Sequence, residues 1–393
     1  FQITPTMEGG GMSLELNRAL EGLRPSAIRR FSALAAATPG CISLTLGEPD
    51  EVTPVAIRER VGQSLIAGKT HYPPNNGTAV LRQAIADRCS RTGLPVNPEQ
   101  VIVTNGATEA LFSTLTALLN AEDEVIVPMP AFVLYESIAL LARAHVVPLD
   151  TSEDGFQIDA KKLASAVTPK TKAIVLTSPN NPTGCVLDEK SLDAVADLAS
   201  KSDFYVVCDD VYEELIYEED LRGHGFARLH PELADRTIMV NSLSKPWAMT
   251  GWRLGWLTAA PKVASQVAKV HQYAVSCVVS FTQDAAVQAL QTDTTPMRER
   301  YRARREVTLD ALERMGLSCI VPEGAFYAFP SVAVLCESDE EFCERAIREA
   351  GVALVPGSVF GCPGHVRLSY ATDDRTLAEG LSRLEGFVAD LRR

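Results

Sequence analysis

The stretch Thr237-Ile-Met-Val-Asn-Ser-Leu-Ser-Lys-Pro-Trp-Ala-Met-Thr-Gly-Trp-Arg-Leu-Gly-Trp256 sets an apolar run directly against a polar turn. Thr237–Val240 reads as a buried strand. A lysine just past such a strand stands where open α/β sheets bind ligands. Ser242 and Ser244 precede Lys245, and Arg253 follows it. The amine can form a Schiff base with a carbonyl compound, while the hydroxyls and the guanidinium can hold a phosphate on that compound. A solvated lysine is the competing reading of the stretch taken alone.

Working outward, the same strand-then-turn rhythm repeats. Val101–Val103 runs into Asn105-Gly-Ala-Thr-Glu109 and a helix through Asn120. Val125–Val127 runs into Pro128-Met-Pro-Ala-Phe132 and a helix through Arg143, and His145–Leu149 is a short strand. Ala173–Leu176 leads into Ser178-Pro-Asn-Asn-Pro-Thr-Gly184 and a helix over Glu189–Ser200, and Phe204–Val207 leads into Cys208-Asp-Asp-Val-Tyr212. Apolar strands alternating with helices predict a mostly parallel sheet covered on both faces. Every polar turn then falls past a strand end, so their side chains gather at one edge of the sheet.

Toward the N-terminus, residues 1–11 read as an added leader ahead of Met12, and Ser13–Ala37 as a helix broken by Pro25. Cys41–Leu46 alternates like a strand and stops at Gly47-Glu-Pro-Asp50, where the glycine marks either a plain turn or a close backbone approach. Helices are expected over Pro54–Ala67 and Ala79–Thr92, around a proline-stiffened loop that carries Tyr72. Toward the C-terminus, Thr295–Met315 reads as one helix whose arginines 298, 300, 302, 304 and 305 form a solvated face. Shorter strands (Ser318–Val321, Gly324–Phe329, Val352–Val355, Val366–Ser369) and helices after it suggest a smaller α+β unit.

The chain has 393 residues, 46% hydrophobic and 22% charged, enough for two or three compact units. A net charge of −13 argues against nucleic acid or an anionic membrane as the main partner. Nine scattered cysteines without a CxxC pair suggest no disulfide framework or zinc ribbon, and a reducing cytoplasm is the simplest compartment. No HExxH or HxxH pair supports a metal centre, and no apolar run approaches the roughly 20 residues of a membrane span.

The candidate site residues each have a plainer alternative. A carboxylate in a dry pocket can keep a pyridine nitrogen protonated. Of Asp209 and Asp210 only one can face the site, because successive strand side chains alternate. Tyr212 can reach a ring oxygen or sit in the core. Asn181 is aimed by the proline that follows it, or simply makes a turn. Gly106-Ala-Thr108 opens a helix and offers free N–H groups to a phosphate. Phe132 can stack on a flat ring. Arg367, inside an apolar strand, needs either a bound carboxylate or a structural salt bridge.

Taken together, Ser-Leu-Ser-Lys245 with Met-Thr-Gly-Trp-Arg253, Ser-Pro-Asn-Asn181-Pro-Thr-Gly, Asp209-Asp-Val-Tyr212, Gly47-Glu-Pro-Asp and Gly-His-Val-Arg367-Leu-Ser-Tyr resemble the fold-type I, class I aminotransferases. The resemblance runs from about Pro25 to the C-terminus. It implies a mostly parallel seven-stranded sheet in a large pyridoxal-phosphate domain over 51–294. A smaller α+β domain over 295–393 would be joined by the segment 12–50. Lys245 would be the Schiff-base lysine and the base that moves the proton, and Asp209 would pair with the pyridinium nitrogen. Asn181 and Tyr212 would bind the ring oxygen, and Phe132 would stack on the ring. Gly106, Ala107, Thr108, Ser242, Ser244 and Arg253 would cradle the phosphate, and Gly47 and Arg367 would hold the substrate α-carboxylate. Tyr72 matches a tyrosine that reaches the neighbouring subunit's phosphate, which implies a homodimer with shared sites. The substrates implied are an L-amino acid and a 2-oxo acid such as 2-oxoglutarate. No residue matches the arginine that selects a second carboxylate in dedicated aspartate enzymes. Val270–Cys277, Gly324–Tyr327 and Ala350–Gly357 look closest to bacterial N-acetyl-diaminopimelate and aromatic amino acid aminotransferases. Two rivals keep the fold: a carbon–sulfur lyase, and a non-catalytic sensor domain of a transcriptional regulator, for which no basic DNA-binding module is read ahead of it.

Overall fold

In the computed structural model, which describes residues 15–23 and 27–393, the apolar runs in the middle of the chain pair side by side. After a two-residue strand β1 (Ile42–Ser43) come β2 (Val101–Thr104), β3 (Glu124–Met129), β4 (His145–Asp150), β5 (Thr171–Thr177), β6 (Tyr205–Asp209), β7 (Thr237–Ser242) and β8 (Gly255–Thr258). The last seven form one sheet in the order β2-β8-β7-β6-β5-β3-β4, and only β8 runs against its neighbours. Alternate side chains feed different cores. Val125, Val127, Ala173, Val175 and Val207 enter one cluster, while Ile126, Ile174, Leu176, Val206 and Cys208 enter another. Both faces are therefore covered, as continuous apolar strands require.

Register decides what meets at the sheet edge. Thr177 lies opposite Asp209, and Asp209 opposite Val240, so β5 and β6 end level and β7 runs on to Ser242. Gly255, at the start of the reversed β8, pairs with Ser242 on one side and Thr104 on the other. The turns holding Asn181, Asp209, Lys245, Arg253 and Gly106 therefore arrive at one edge.

Five helices matter for the site: α1 (Ala27–Ala37), α2 (Gly106–Leu118), α3 (Pro261–Val275), α4 (Thr295–Arg314) and α5 (Asp374–Leu391). Beyond α4, strands β9 (Tyr327–Ala328), β11 (Val355–Pro356) and β12 (Val366–Ser369) form an antiparallel sheet, and β10 (Val352–Ala353) pairs with β1 in parallel. Phe31, Leu312, Phe326, Leu354 and Leu381 share the core beneath them.

Several expectations need correction. The long N-terminal helix is a 3-10 turn at Arg18–Leu20 followed by α1; Pro25 lies outside the described residues. Only Ile42 and Ser43 of the Cys41–Leu46 run form a ladder, and Ser318–Val321 forms none. The helix after β2 begins at Gly106, since that turn continues directly into helical geometry.

The largest correction concerns the arginines of α4. Arg298, Arg304 and Arg305 are buried, not solvated. Arg304 bonds both carboxylate oxygens of Asp50 (2.8 and 3.1 Å) and also Asp374 (2.8 Å), and Arg305 pairs with Glu218 and Glu306. Asp50 is 254 positions away, so helix periodicity could not reveal the pair. The contact fastens the Gly47–Asp50 turn to α4, and that turn lines the site described next.

Candidate active site

At the common edge lies a cavity of about 290 Å³, and Lys245 opens into it. The lysine follows β7 by three residues, and its Nζ donates to the carbonyl of Gly47. Burial, helped by the Arg367 and Arg253 guanidiniums, pulls the amine down to about 8; Glu48 and Asp209 pull the other way. An amine so placed is partly unprotonated near neutrality, which a nucleophile or proton acceptor needs.

Asp209, the last residue of β6, also faces the cavity and is 4% exposed. Its Oδ2 accepts from the Tyr135 hydroxyl at 2.7 Å, whereas its Oδ1 is buried with no hydrogen-bond partner. Burial pushes the carboxyl up to about 6, against the Tyr135 hydrogen bond, the nearby Val211 N–H and the Lys245 amine. Such an oxygen has an unused capacity for a buried N–H donor. Asp210 points to the opposite side, beside Glu213 and Arg228, which settles which of the two aspartates belongs here.

The anion-binding end is made from three turns. Helix α2 starts at Gly106 without a side-chain cap, so the N–H groups of its first turn are free for an anion. Ser242 and Ser244 stand 2.7 Å apart through their Oγ atoms. Arg253, held at φ 53° in the left-handed region, bonds the Thr250 carbonyl at 2.9 Å and the Asn105 carbonyl at 3.4 Å. Glycines allow these backbones to close in. A Cβ on Gly255 would come within 2.7 Å of Gly106 C and 2.8 Å of Ala107 N. Gly255→Ala should therefore cost about 1–3 kcal/mol of stability, read as a lower denaturant midpoint, and should disturb the Gly106 turn at the same edge.

Across the cavity, Arg367 on β12 is 2% exposed. Its Nη1 donates to Asn181 Oδ1 at 2.9 Å and its Nη2 to the Thr45 carbonyl at 2.6 Å, while Nε has no partner. The rings of Tyr327 and Phe360 flank the guanidinium at 4.5 and 5.0 Å. No carboxylate pairs with it among the described residues. The structural salt bridge considered from sequence is thus absent, and an uncompensated buried cation suits a carboxylate ligand.

Most of the residues singled out in sequence meet in this cavity: Gly47, Ala107, Thr108, Phe132, Asn181 and Tyr212 line it together with the groups above. Gly106 stands just behind the lining, where a Cβ would strike Arg253 Nη2 at 2.6 Å. Tyr72 is not brought in; it is 92% exposed on its loop. Tyr135 and Tyr327, which sequence reasoning did not select, both belong to the site. Tyr327 lay inside the quoted Gly324–Tyr327 motif, but nothing local assigned it a partner. Tyr135 lies on a helix and meets Asp209 only through the packing of α-helix on sheet.

Comparison with known proteins places the chain in a family. The family model described as aminotransferase class I and II matches residues 39–384. An aromatic-amino-acid aminotransferase of Thermococcus litoralis is 39% identical over 382 residues, covering 95% of this chain and 98% of its own. A Bacillus subtilis protein named as an N-acetyl-LL-diaminopimelate aminotransferase is 40% identical over 384 residues, 96% of each chain. The structure of the Thermus thermophilus aspartate aminotransferase with maleate superposes with a TM-score of 0.90 at 37% identity, covering 95% of this chain and 100% of that one.

Proposed function

Because the chain belongs to the family of class I and II aminotransferases, enzymes that move an amino group between an amino acid and a 2-oxo acid, we propose that it works with pyridoxal 5'-phosphate held in the Lys245 cavity. The observation that carries this reading is the buried, unpartnered Oδ1 of Asp209 in the same cavity as Lys245 and the anion cradle. A protonated ring nitrogen would supply the missing donor, and the cradle would suit a phosphate. When bound, the cofactor contributes an aldehyde that captures amines and a ring that accepts the electron pair of a breaking Cα–H bond.

The chain's own groups do the rest. Asp209, backed by Tyr135, would hold the ring nitrogen protonated. Tyr212 and Asn181 would meet the ring oxygen, and Phe132 would cover a ring face. Ala107, Thr108, Ser242, Ser244 and Arg253, with Gly106 behind them, would anchor the phosphate. Arg367 and Gly47 would grip the substrate α-carboxylate and so orient Cα–H toward Lys245. Lys245 Nζ would take that proton and return it once the amino group has moved. Holding the reacting atoms this way removes much of the entropic barrier.

A homodimer completes the reading. Tyr72, Tyr273 and Ile66 are 88–92% exposed. The Tyr72 loop is tied to the same region by the Asn75–Ser276 and Ser280–Lys69 hydrogen bonds. Exposed apolar side chains on and beside this loop would suit cover by a second copy, which would place Tyr72 at the partner's phosphate. The division of the chain into 51–294 and 295–393 with 12–50 is supported by the β1–β10 pairing. No helix among the described residues is long and apolar enough to cross a membrane.

The test is an absorbance spectrum with pyridoxal phosphate, followed through glutamate, aspartate, aromatic amino acids, methionine and N-acetyl-diaminopimelate. Transamination is expected to bleach the visible band with a good donor, and 2-oxoglutarate should restore it. A band that persists while pyruvate and ammonia accumulate would mean carbon–sulfur lyase chemistry instead.

A further inference from the structure

Tyr327 has no role in the reading above, yet it touches three of its parts. It is buried on β9, and its hydroxyl lies 2.8 Å from that of Tyr212. Its ring carries the Arg367 guanidinium at 4.5 Å. Gly47 leaves room for it: a Cβ there would sit 2.2 Å from the Tyr327 hydroxyl oxygen. Two phenols in contact can place only one hydrogen between their oxygens, and the other must point elsewhere. Both rings line the cavity, so the second hydrogen is available to a ligand.

We propose that Tyr327 is a positioning residue: its hydroxyl donates to the Tyr212 oxygen and thereby turns the Tyr212 hydrogen toward the cofactor's ring oxygen, while its ring steadies Arg367 for the α-carboxylate. The order of the pair follows from its surroundings. Burial raises both phenols, and the Arg367 guanidinium lies over the Tyr327 ring at 4.5 Å, where its positive charge favours release of the Tyr327 hydrogen. The more acidic hydroxyl is the better donor. Without Tyr327, the Tyr212 hydroxyl could spend its hydrogen in other directions, and the ring oxygen would lose a fixed donor. A glycine at 47 is then required because its missing side chain admits Tyr327, while its backbone carbonyl accepts from Lys245.

This inference rests on the pyridoxal-phosphate reading, and the experiment separates the two. The visible absorbance of the cofactor-loaded enzyme is titrated against pH for the natural protein, Tyr327→Phe, Tyr212→Phe and the double variant. A donor on the ring oxygen favours its ionised form, so losing the donor moves the titration midpoint upward. Tyr327→Phe is expected to raise it by about half a pH unit to one unit, the scale of one hydrogen bond. Because Tyr327 acts through Tyr212, the double variant should titrate where Tyr212→Phe does. The aromatic ring is tested separately by KM. Tyr327→Phe should leave the donor KM within about twofold, and Tyr327→Leu should raise it about tenfold through loss of the cation–π contact. If the natural protein shows no pH-dependent band, the cofactor reading fails. If the band titrates normally but Tyr327→Phe does not move it, or the two single shifts add in the double variant, the positioning role is wrong. Wild-type near-ultraviolet circular dichroism in each variant excludes misfolding as the cause.

Discussion

Lys245→Ala should lower the rate of amino transfer by about 10²–10⁴-fold at least, the range for losing a positioned acid–base group. On the reading proposed above the expected defect is in kcat, because the residues assigned to substrate and cofactor binding are left untouched. Single-turnover measurements with the donor amino acid would show it, with little change in the concentration needed for half-saturation. A loss below tenfold would remove Lys245 from the chemistry. The same amine predicts a pH dependence for loading the empty protein. Its pKa is lowered from 10.5 to about 8, so its neutral fraction at pH 7 is about one in ten, against roughly one in three thousand for a free lysine. Capture of pyridoxal phosphate should therefore quicken about tenfold per pH unit below 8 and level off above it. Stopped-flow absorbance between pH 6 and 10 reads this directly; a rise continuing to pH 10 would mean that the amine is not depressed.

Asp209→Asn should cost about 10²–10³-fold in kcat, the scale of removing a buried electrostatic partner from a developing charge. The shape of the site survives the substitution, and the Tyr135 hydroxyl can still donate to the amide oxygen, but no negative charge remains to keep a ring nitrogen protonated. The same variant should make the cofactor-free protein more stable. Folding raises the Asp209 pKa from 3.8 to about 6, because ionisation in a dry pocket is unfavourable. The folded form therefore binds more protons than the unfolded one between those values, and stability falls as pH rises through that window. Asparagine is free of this loss. Its advantage is absent below pH 3.8, grows to pH 6 and is constant above, reaching up to roughly 3 kcal/mol. Urea melts at pH 4 and pH 7.5 would check it. Greater stability with lower activity is the pattern of a residue kept for function.

Local signals made the site legible to an unusual degree. Lysine, aspartate and the asparagine turn each follow an apolar run, and sheet geometry requires that such ends lie together. The seven-stranded sheet was readable for the same reason, since strands covered on both faces are apolar throughout. The short ladders of the C-terminal unit were misread because two residues carry no periodicity. The arginines of α4 were misread because their acids come from distant turns, and a charge run looks the same whether its partners are water or Asp50.

By itself, then, the sequence determined the residue types, the turns that carry them and the edge where they collect. Tertiary structure alone decided that Asp209 Oδ1 is left without a partner and that Arg367 meets no carboxylate among the described residues. It also decided that Tyr135 and Tyr327 stand behind Asp209 and Tyr212. The physical reason is range. Strand and turn propensities act over a few residues, whereas a hydrogen bond between Tyr212 and Tyr327 joins positions 115 apart and exists only once both are packed.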